Sequence, residues 1–158
     1  MADKPSAVNL IVPDFSAAMT GNRTFTLSEY KGKIVVLYFY PKDNTPGCTA
    51  ESMNFRDLHS QFQELQAEIF GISRDSLRSH EGFKSKFKLP FELLSDPDEN
   101  ICKLFDVIAM KNMYGKQVRG VERSTFVIDR SGKLVKEWRG VKVPGHSDEV
   151  LEFVKSLT

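Results

Sequence analysis

Ile34-Val-Val-Leu-Tyr-Phe-Tyr40-Pro-Lys-Asp-Asn-Thr45-Pro-Gly-Cys48-Thr-Ala-Glu51 runs from a buried-strand pattern into a helix start and places a cysteine at the junction. The first seven residues are β-branched, aliphatic or aromatic with no polar alternation, the pattern of a strand covered on both faces, and Pro41 ends it. Beyond Met53, the apolar residues Phe55, Leu58, Phe62 and Leu65 recur at three- and four-residue steps, and Arg56, Asp57, Gln61 and Glu64 fill the other side of an amphipathic helix. Thr45 suits the N-cap and Pro46 the first helical position, where a missing amide hydrogen costs nothing. Cys48 then falls in the first turn. There the unbonded amides and the positive end of the helix dipole favour an anion, and a thiol becomes a thiolate nucleophile.

Outward from this junction the chain alternates. Glu68-Ile-Phe-Gly-Ile-Ser73 is a short strand, and Leu77, Phe83 and Phe87 mark one side of a polar helix. Phe91–Ser95 leads through Asp96-Pro-Asp98 to a short helix that turns Ile101, Leu104 and Phe105 toward the core. Ser124–Asp129, the turn Arg130-Ser-Gly-Lys133 and Leu134–Arg139 form a hairpin, and a final helix opens at Ser147 with Val150, Leu151, Val154 and Leu157 inward. Residues 1 to 33 read as an extended lead-in with a hairpin at Gly21-Asn22 that packs on the sheet edge. A β-α-β order followed by a hairpin predicts an α/β fold with a mixed central sheet flanked by helices.

The 158 residues fit one domain, 1–158, and no linker or repeat interrupts them. Because 22 basic and 21 acidic residues nearly cancel, bulk charge points to neither nucleic acid nor an acidic membrane surface. The opening Met-Ala-Asp-Lys-Pro-Ser lacks the apolar core of a signal peptide, so a cytoplasmic protein with reduced thiols is expected. Cys48 and Cys102 are the two cysteines, too few for a disulfide framework. Cys48-Thr-Ala-Glu51 lacks the second thiol of a Cys-x-x-Cys thiol-disulfide oxidoreductase. Cys48, Cys102, His59, His80 and His146 show no paired zinc spacing, lone histidines being more often surface residues. No metal or other cofactor is expected.

Pro41-x-x-x-Thr45-x-x-Cys48 resembles the active-site signature of the peroxiredoxins. The wider text Tyr38–Thr49, with Gly71-Ile-Ser-Arg-Asp-Ser76, Tyr114-Gly-Lys116 and Glu122-Arg-Ser-Thr-Phe126, is similar to their bacterioferritin-comigratory, or Q-type, subfamily from about Asp14 to the last helix. The resemblance implies a thioredoxin-like fold with an N-terminal β-hairpin extension. It also implies a thiol-dependent peroxidase that reduces hydrogen peroxide and organic hydroperoxides in antioxidant defence. In it, Cys48 attacks the peroxide and becomes a sulfenic acid, Arg123 binds peroxide and stabilises the thiolate, and Thr45 hydrogen-bonds the peroxide. Pro41 shields the pocket, and Glu51 holds the arginine. Thr45 is also expected to cap the helix with its side chain.

Many Q-type members resolve the sulfenic acid with a cysteine five residues after the first or on the next helix. Here position 53 is methionine, and Leu77–Phe87 contains no cysteine. Cys102 remains, and its ordinary reading is a small buried hydrophobe rather than a resolving thiol. The expectation is a one-cysteine enzyme, a monomer by analogy, reduced by thioredoxin, glutaredoxin or glutathione. The alternatives are resolution by Cys102 or a thioredoxin-fold oxidoreductase of another kind.

Overall fold

The computed structural model describes residues 7–158. The first six residues of the expected lead-in lie outside the described residues. The elements are strands β1 (Ser16–Met19), β2 (Arg23–Thr26), β3 (Ile34–Phe39), β4 (Ala67–Ser73), β5 (Glu92–Ser95), β6 (Ile108–Met113), β7 (Lys116–Val121), β8 (Ser124–Ile128) and β9 (Leu134–Arg139). The helices are α1 (Pro46–Glu64), α2 (Leu77–Phe87), α3 (Asn100–Leu104) and α4 (His146–Ser156).

Seven strands make one mixed sheet in the order β2-β1-β5-β4-β3-β8-β9. β3 runs parallel to β4 and β4 to β5, the consequence of the two helical crossovers, whereas β8 is antiparallel to β3 and to β9. The β1–β2 hairpin turns at Gly21 and Asn22, both in the left-handed region (φ 81° and 57°), and β1 extends the sheet beyond β5 as the lead-in predicts. All six residues of β3 are buried, in line with helices and loops covering both faces.

Alternation along β3 divides the core in two. Ile34, Val36, Tyr38 and Tyr40 face a layer that includes Phe55 and Phe62 of α1, Phe83 of α2 and Val150, Leu151 and Val154 of α4. Val35, Leu37 and Phe39 face a second layer with Phe25, Ile101, Cys102, Phe105 and Phe126. Each fully buried aromatic or aliphatic side chain contributes roughly 1.5–3 kcal/mol. Gly71 lies opposite Tyr38 in the parallel register, and a Cβ there would stand 2.7 Å from the Tyr38 ring. Its absence lets Tyr38 lie flat and share a 2.8 Å hydrogen bond with Ser52, which fixes the second turn of α1 over the end of β3.

Three expectations need correction, and one element leaves no trace in the sequence. Leu104 is 41% exposed rather than inward, because α3 is five residues long and cannot bury a full helical stripe. The last helix starts at His146, one residue early, after Gly145 in a left-handed conformation. His80 and His146 are buried rather than on the surface: His80 is hydrogen-bonded through both ring nitrogens, and His146 through Nε2 to the Thr125 hydroxyl. The β6–β7 hairpin was not foreseen. Its turn at Tyr114 and Gly115 has positive φ at both residues (53° and 80°), but its strands are mostly half-buried or exposed, and apolar residues such as Ile108, Ala109, Met110 and Met113 do not alternate with polar ones, so no period-two pattern announces them.

Candidate active site

Strand β3 delivers the chain to the sheet's end, and residues 40–45 turn it into α1. Asn44 takes the left-handed conformation (φ 64°) that asparagine tolerates, so the turn is tight. Thr45 is the N-cap and Pro46 the first helical residue, as the sequence predicts. The Thr45 side chain, however, makes no capping bond: its Oγ1 donates to the Lys42 carbonyl at 2.8 Å, closing the loop on itself. Its hydroxyl hydrogen is spent in the loop while the oxygen keeps lone pairs free. Pro41 and Thr45 are both half-buried in this loop.

Cys48 is the third residue of α1 and 1% exposed. The first helical bond runs from the Thr49 amide to the Thr45 carbonyl at 2.9 Å, which leaves the amides of Gly47 and Cys48 ahead of it at the positive end of a 19-residue helix. The antiparallel pairing of Phe39 with Ser124 sets the residue before β8 beside this helix start. That residue is Arg123, in the β7–β8 connection rather than on a strand. Its Nη2 donates to Cys48 Sγ at 3.4 Å and its Nη1 to Glu51 Oε1 at 2.8 Å. Gly47 permits the approach, since a Cβ there would sit 3.2 Å from Nη2.

One turn after Gly47, Glu51 is 1% exposed, and its second oxygen, Oε2, has no hydrogen-bond partner among the described residues. Burial pushes the Glu51 carboxyl up to about 7, with Arg123 pulling it back. Burial opposes the charge of Arg123 too, but Glu51 and Cys48 beside it hold its pKa above the ordinary arginine value. Lys111 of β6 supplies a further cation that the sequence did not point to. Its Nζ donates to the Val121 carbonyl at 2.5 Å, and burial followed by repulsion from Arg123 lowers its pKa.

The fold thus gathers Cys48, Arg123 and Glu51, with Thr45 and Pro41 shaping the loop in front. It leaves Cys102 elsewhere. That thiol is fully buried in the second core layer, across the sheet from Cys48. Burial, and then the Asp96 carboxylate, push its pKa far up. A sulfur nucleophile at a helix start, with a guanidinium in hydrogen-bonding reach and little water, suits attack on a small electrophile that develops negative charge.

The sequence profile of the AhpC/TSA family matches residues 8–137. Among named relatives, peroxiredoxin Bcp of Bacillus subtilis is 50% identical over 146 residues, covering 92% of this chain and 93% of the relative. Peroxiredoxin Bcp of Xanthomonas campestris is 49% identical over 143 residues, 90% and 89% of the two chains. Among solved structures, Xanthomonas campestris peroxiredoxin Q superposes with a TM-score of 0.86 at 48% identity over 90% of each chain. A mutant of Xylella fastidiosa PrxQ gives 0.89 at 44% identity, covering 97% of this chain and 99% of that one.

Proposed function

The chain belongs to the AhpC/TSA family as a peroxiredoxin of the bacterioferritin-comigratory kind, a thiol-dependent peroxidase, and from that premise we propose that Cys48 reduces peroxides by a one-cysteine cycle. The observation that carries the assignment is the 3.4 Å contact between Arg123 Nη2 and Cys48 Sγ at the start of α1. In the proposed cycle the Cys48 thiolate attacks the terminal oxygen of ROOH. The S–O bond forms as the O–O bond breaks, giving the sulfenic acid and RO⁻, which takes a proton to leave as ROH. Arg123 faces both the thiolate and the charge that spreads along the breaking bond, and Glu51 fixes its guanidinium from behind. The amides of Gly47 and Cys48 and the Thr45 hydroxyl oxygen are further partners for the peroxide, and Pro41 limits water.

Organic hydroperoxides belong to the proposed substrate range alongside hydrogen peroxide. A structure of the Xanthomonas campestris bacterioferritin comigratory protein is described in terms of alkyl peroxide reduction. Resolution by an outside thiol rests on Cys102. A disulfide requires Cα atoms within roughly 7 Å, whereas Cys48 and Cys102 pack on opposite faces of the sheet. A first external thiol would displace water from the sulfenic acid to form a mixed disulfide, and a second would release Cys48. Thioredoxin, glutaredoxin and glutathione fit that role, acting on a cytoplasmic monomer.

Intact-protein mass spectrometry after one equivalent of peroxide tests the cycle. The expected product has gained one oxygen, can be trapped by dimedone, and is absent in Cys48→Ser, which also loses thiol-dependent turnover. A loss of two hydrogens, mapped to a Cys48–Cys102 disulfide formed as fast as peroxide is consumed, would replace this cycle with a two-cysteine one.

A further inference from the structure

Behind the Cys48 loop lies a buried polar cluster that the chemistry above does not use. Asp43, in the loop between β3 and α1, and His80, in the first turn of α2, have side chains 1% and 0% exposed. His80 Nδ1 is 2.8 Å from Asp43 Oδ2, and its Nε2 is 2.8 Å from the Leu94 carbonyl oxygen on β5. Tyr40 donates to Asp43 Oδ1 at 2.6 Å and Ser79 to Oδ2 at 2.8 Å. The Asp43 amide donates to Asp75 Oδ2 at 2.9 Å, an oxygen that also takes the Ser73 hydroxyl at 2.6 Å.

Hydrogen counting fixes how many protons the pair holds, and the other donors to Asp43 fix where they sit. A carbonyl oxygen can only accept, so Nε2 must carry hydrogen. Asp43 already accepts two hydroxyls, and a carboxylate facing Nδ1 accepts a third donor if Nδ1 carries hydrogen as well. A neutral imidazole facing a carboxylate would set an acceptor against an acceptor at one of the two 2.8 Å contacts, so the pair holds one proton between Nδ1 and Oδ2 besides the one on Nε2. The Tyr40 and Ser79 hydroxyls that converge on Asp43 favour its ionised form and put that proton on Nδ1, which makes an imidazolium–carboxylate pair, desolvated, with Nε2 satisfied by Leu94. Burial would raise the Asp43 pKa, but His80, Tyr40 and Ser79 together hold it below the ordinary aspartate value. Among the described residues the acidic group that joins His80 and Asp43 in this cluster is Asp75, whose Oδ2 is engaged by Ser73 and the Asp43 amide.

We propose that His80 is a positioning residue for Cys48: as a buried imidazolium paired with Asp43, it clamps the loop of residues 41–47 to α2 and β5 and keeps Cys48 closed to reagents larger than a peroxide. The clamp acts at the right place. Asp43 is followed by the left-handed Asn44 and then by Thr45, whose hydroxyl ties back to Lys42. Releasing Asp43 frees the loop that sets the first turn of α1, where Cys48 is 1% exposed. Breaking a buried pair by removing one partner leaves an uncompensated charge, so either partner alone carries the whole effect.

The inference rests on Cys48 being the peroxide-reactive thiol, and the experiment separates the two. In His80→Gln, in Asp43→Asn and in the double variant, peroxide reduction is followed beside alkylation of Cys48 by a bulky maleimide. Each single variant should slow the peroxide step by about ten- to a hundredfold and speed alkylation, and the double variant should be no worse than the worse single one. Additive losses, or unchanged alkylation, overturn the clamp while leaving the Cys48 assignment intact. Peroxidase activity surviving in Cys48→Ser overturns that assignment instead. Should a variant fail to fold, nitrogen NMR of the labelled wild type decides: hydrogen on both His80 ring nitrogens at neutral pH supports the clamp, and hydrogen on one refutes it. Stoichiometric zinc binding lost in His80→Gln would also refute it, by giving Asp43, Asp75 and His80 to a metal.

Discussion

Cys48 and Cys102 occupy the same position, the third residue of a helix, and both are buried, yet their surroundings are opposite. At α1 the amides of Gly47 and Cys48 precede the first helical bond, no carboxylate stands in the first turn, and a guanidinium touches the sulfur. At α3 the start is already filled. The Asp96 carboxylate accepts the amides of Ile101 and Cys102 at 2.7–3.2 Å, so the helix's anion site holds an anion of its own. A thiolate at Cys102 would be a second negative charge in a dry place. Helix position by itself does not make a reactive cysteine. What occupies the helix start decides it.

Removing the guanidinium should bring Cys48 closest to the condition of Cys102. Arg123→Ala is expected to slow peroxide attack by about 10²–10³-fold, the range for loss of one preorganised donor to developing charge. Stopped-flow kinetics with excess peroxide checks this, and a rate within threefold of wild type would show that the helix start alone suffices.

A gentler displacement sharpens the point. Gly47→Ala adds a Cβ 3.2 Å from Arg123 Nη2 while improving helix propensity. Peroxide attack should fall by about tenfold while thermal stability holds or rises. Equal loss of both would mean that Gly47 serves the backbone rather than Arg123.

Glu51 tests the other end of the guanidinium through stability. Burial lifts its carboxyl from the ordinary 4.5 to about 7, so the folded protein binds this proton more tightly than the unfolded chain does. The contribution is fully present below about 4.5 and is lost as pH rises through about 7. Relative to Glu51→Gln, the wild type should therefore lose stability across that window in urea titrations at stepped pH. Parallel curves would show that Arg123 keeps Glu51 ionised throughout.

The smallest effect belongs to the other cysteine. Cys102→Ser should retain peroxidase activity within about twofold with a small external thiol, since a packed, uncharged thiol takes no part in the chemistry. A large loss of turnover with stability intact would erase the contrast between the two sites.

Much of the Cys48 side of this contrast is legible in sequence because it is local. The apolar run of β3, the 3.6-residue period of α1 and the Thr45-Pro46 start lie in one continuous stretch, and propensity, capping and burial there agree. Arg123, Thr45, Pro41 and Glu51 were reached through resemblance to a motif, since nothing in the local pattern around residue 123 sets that arginine apart. Other features left no such trace. The His80–Asp43 pair joins two segments far apart in sequence, and a lone histidine reads singly as a surface residue. The β6–β7 hairpin has too little apolar alternation to register, and Leu104 follows a helical period that a five-residue helix cannot complete.

The mixed α/β sheet, and the place of Cys48 at the end of a buried strand and the start of a long amphipathic helix, are written into the order of residues. Hydrophobic period and helix-start chemistry are set within a few residues of chain. Which charge each cysteine meets depends on folding: Arg123, 75 residues away, at Cys48, and the capping oxygens of Asp96 at Cys102. Strand pairing brings the first to its sulfur, and the turn into α3 brings the second. Coulomb interactions depend on distance in space, and the folded sheet sets those distances.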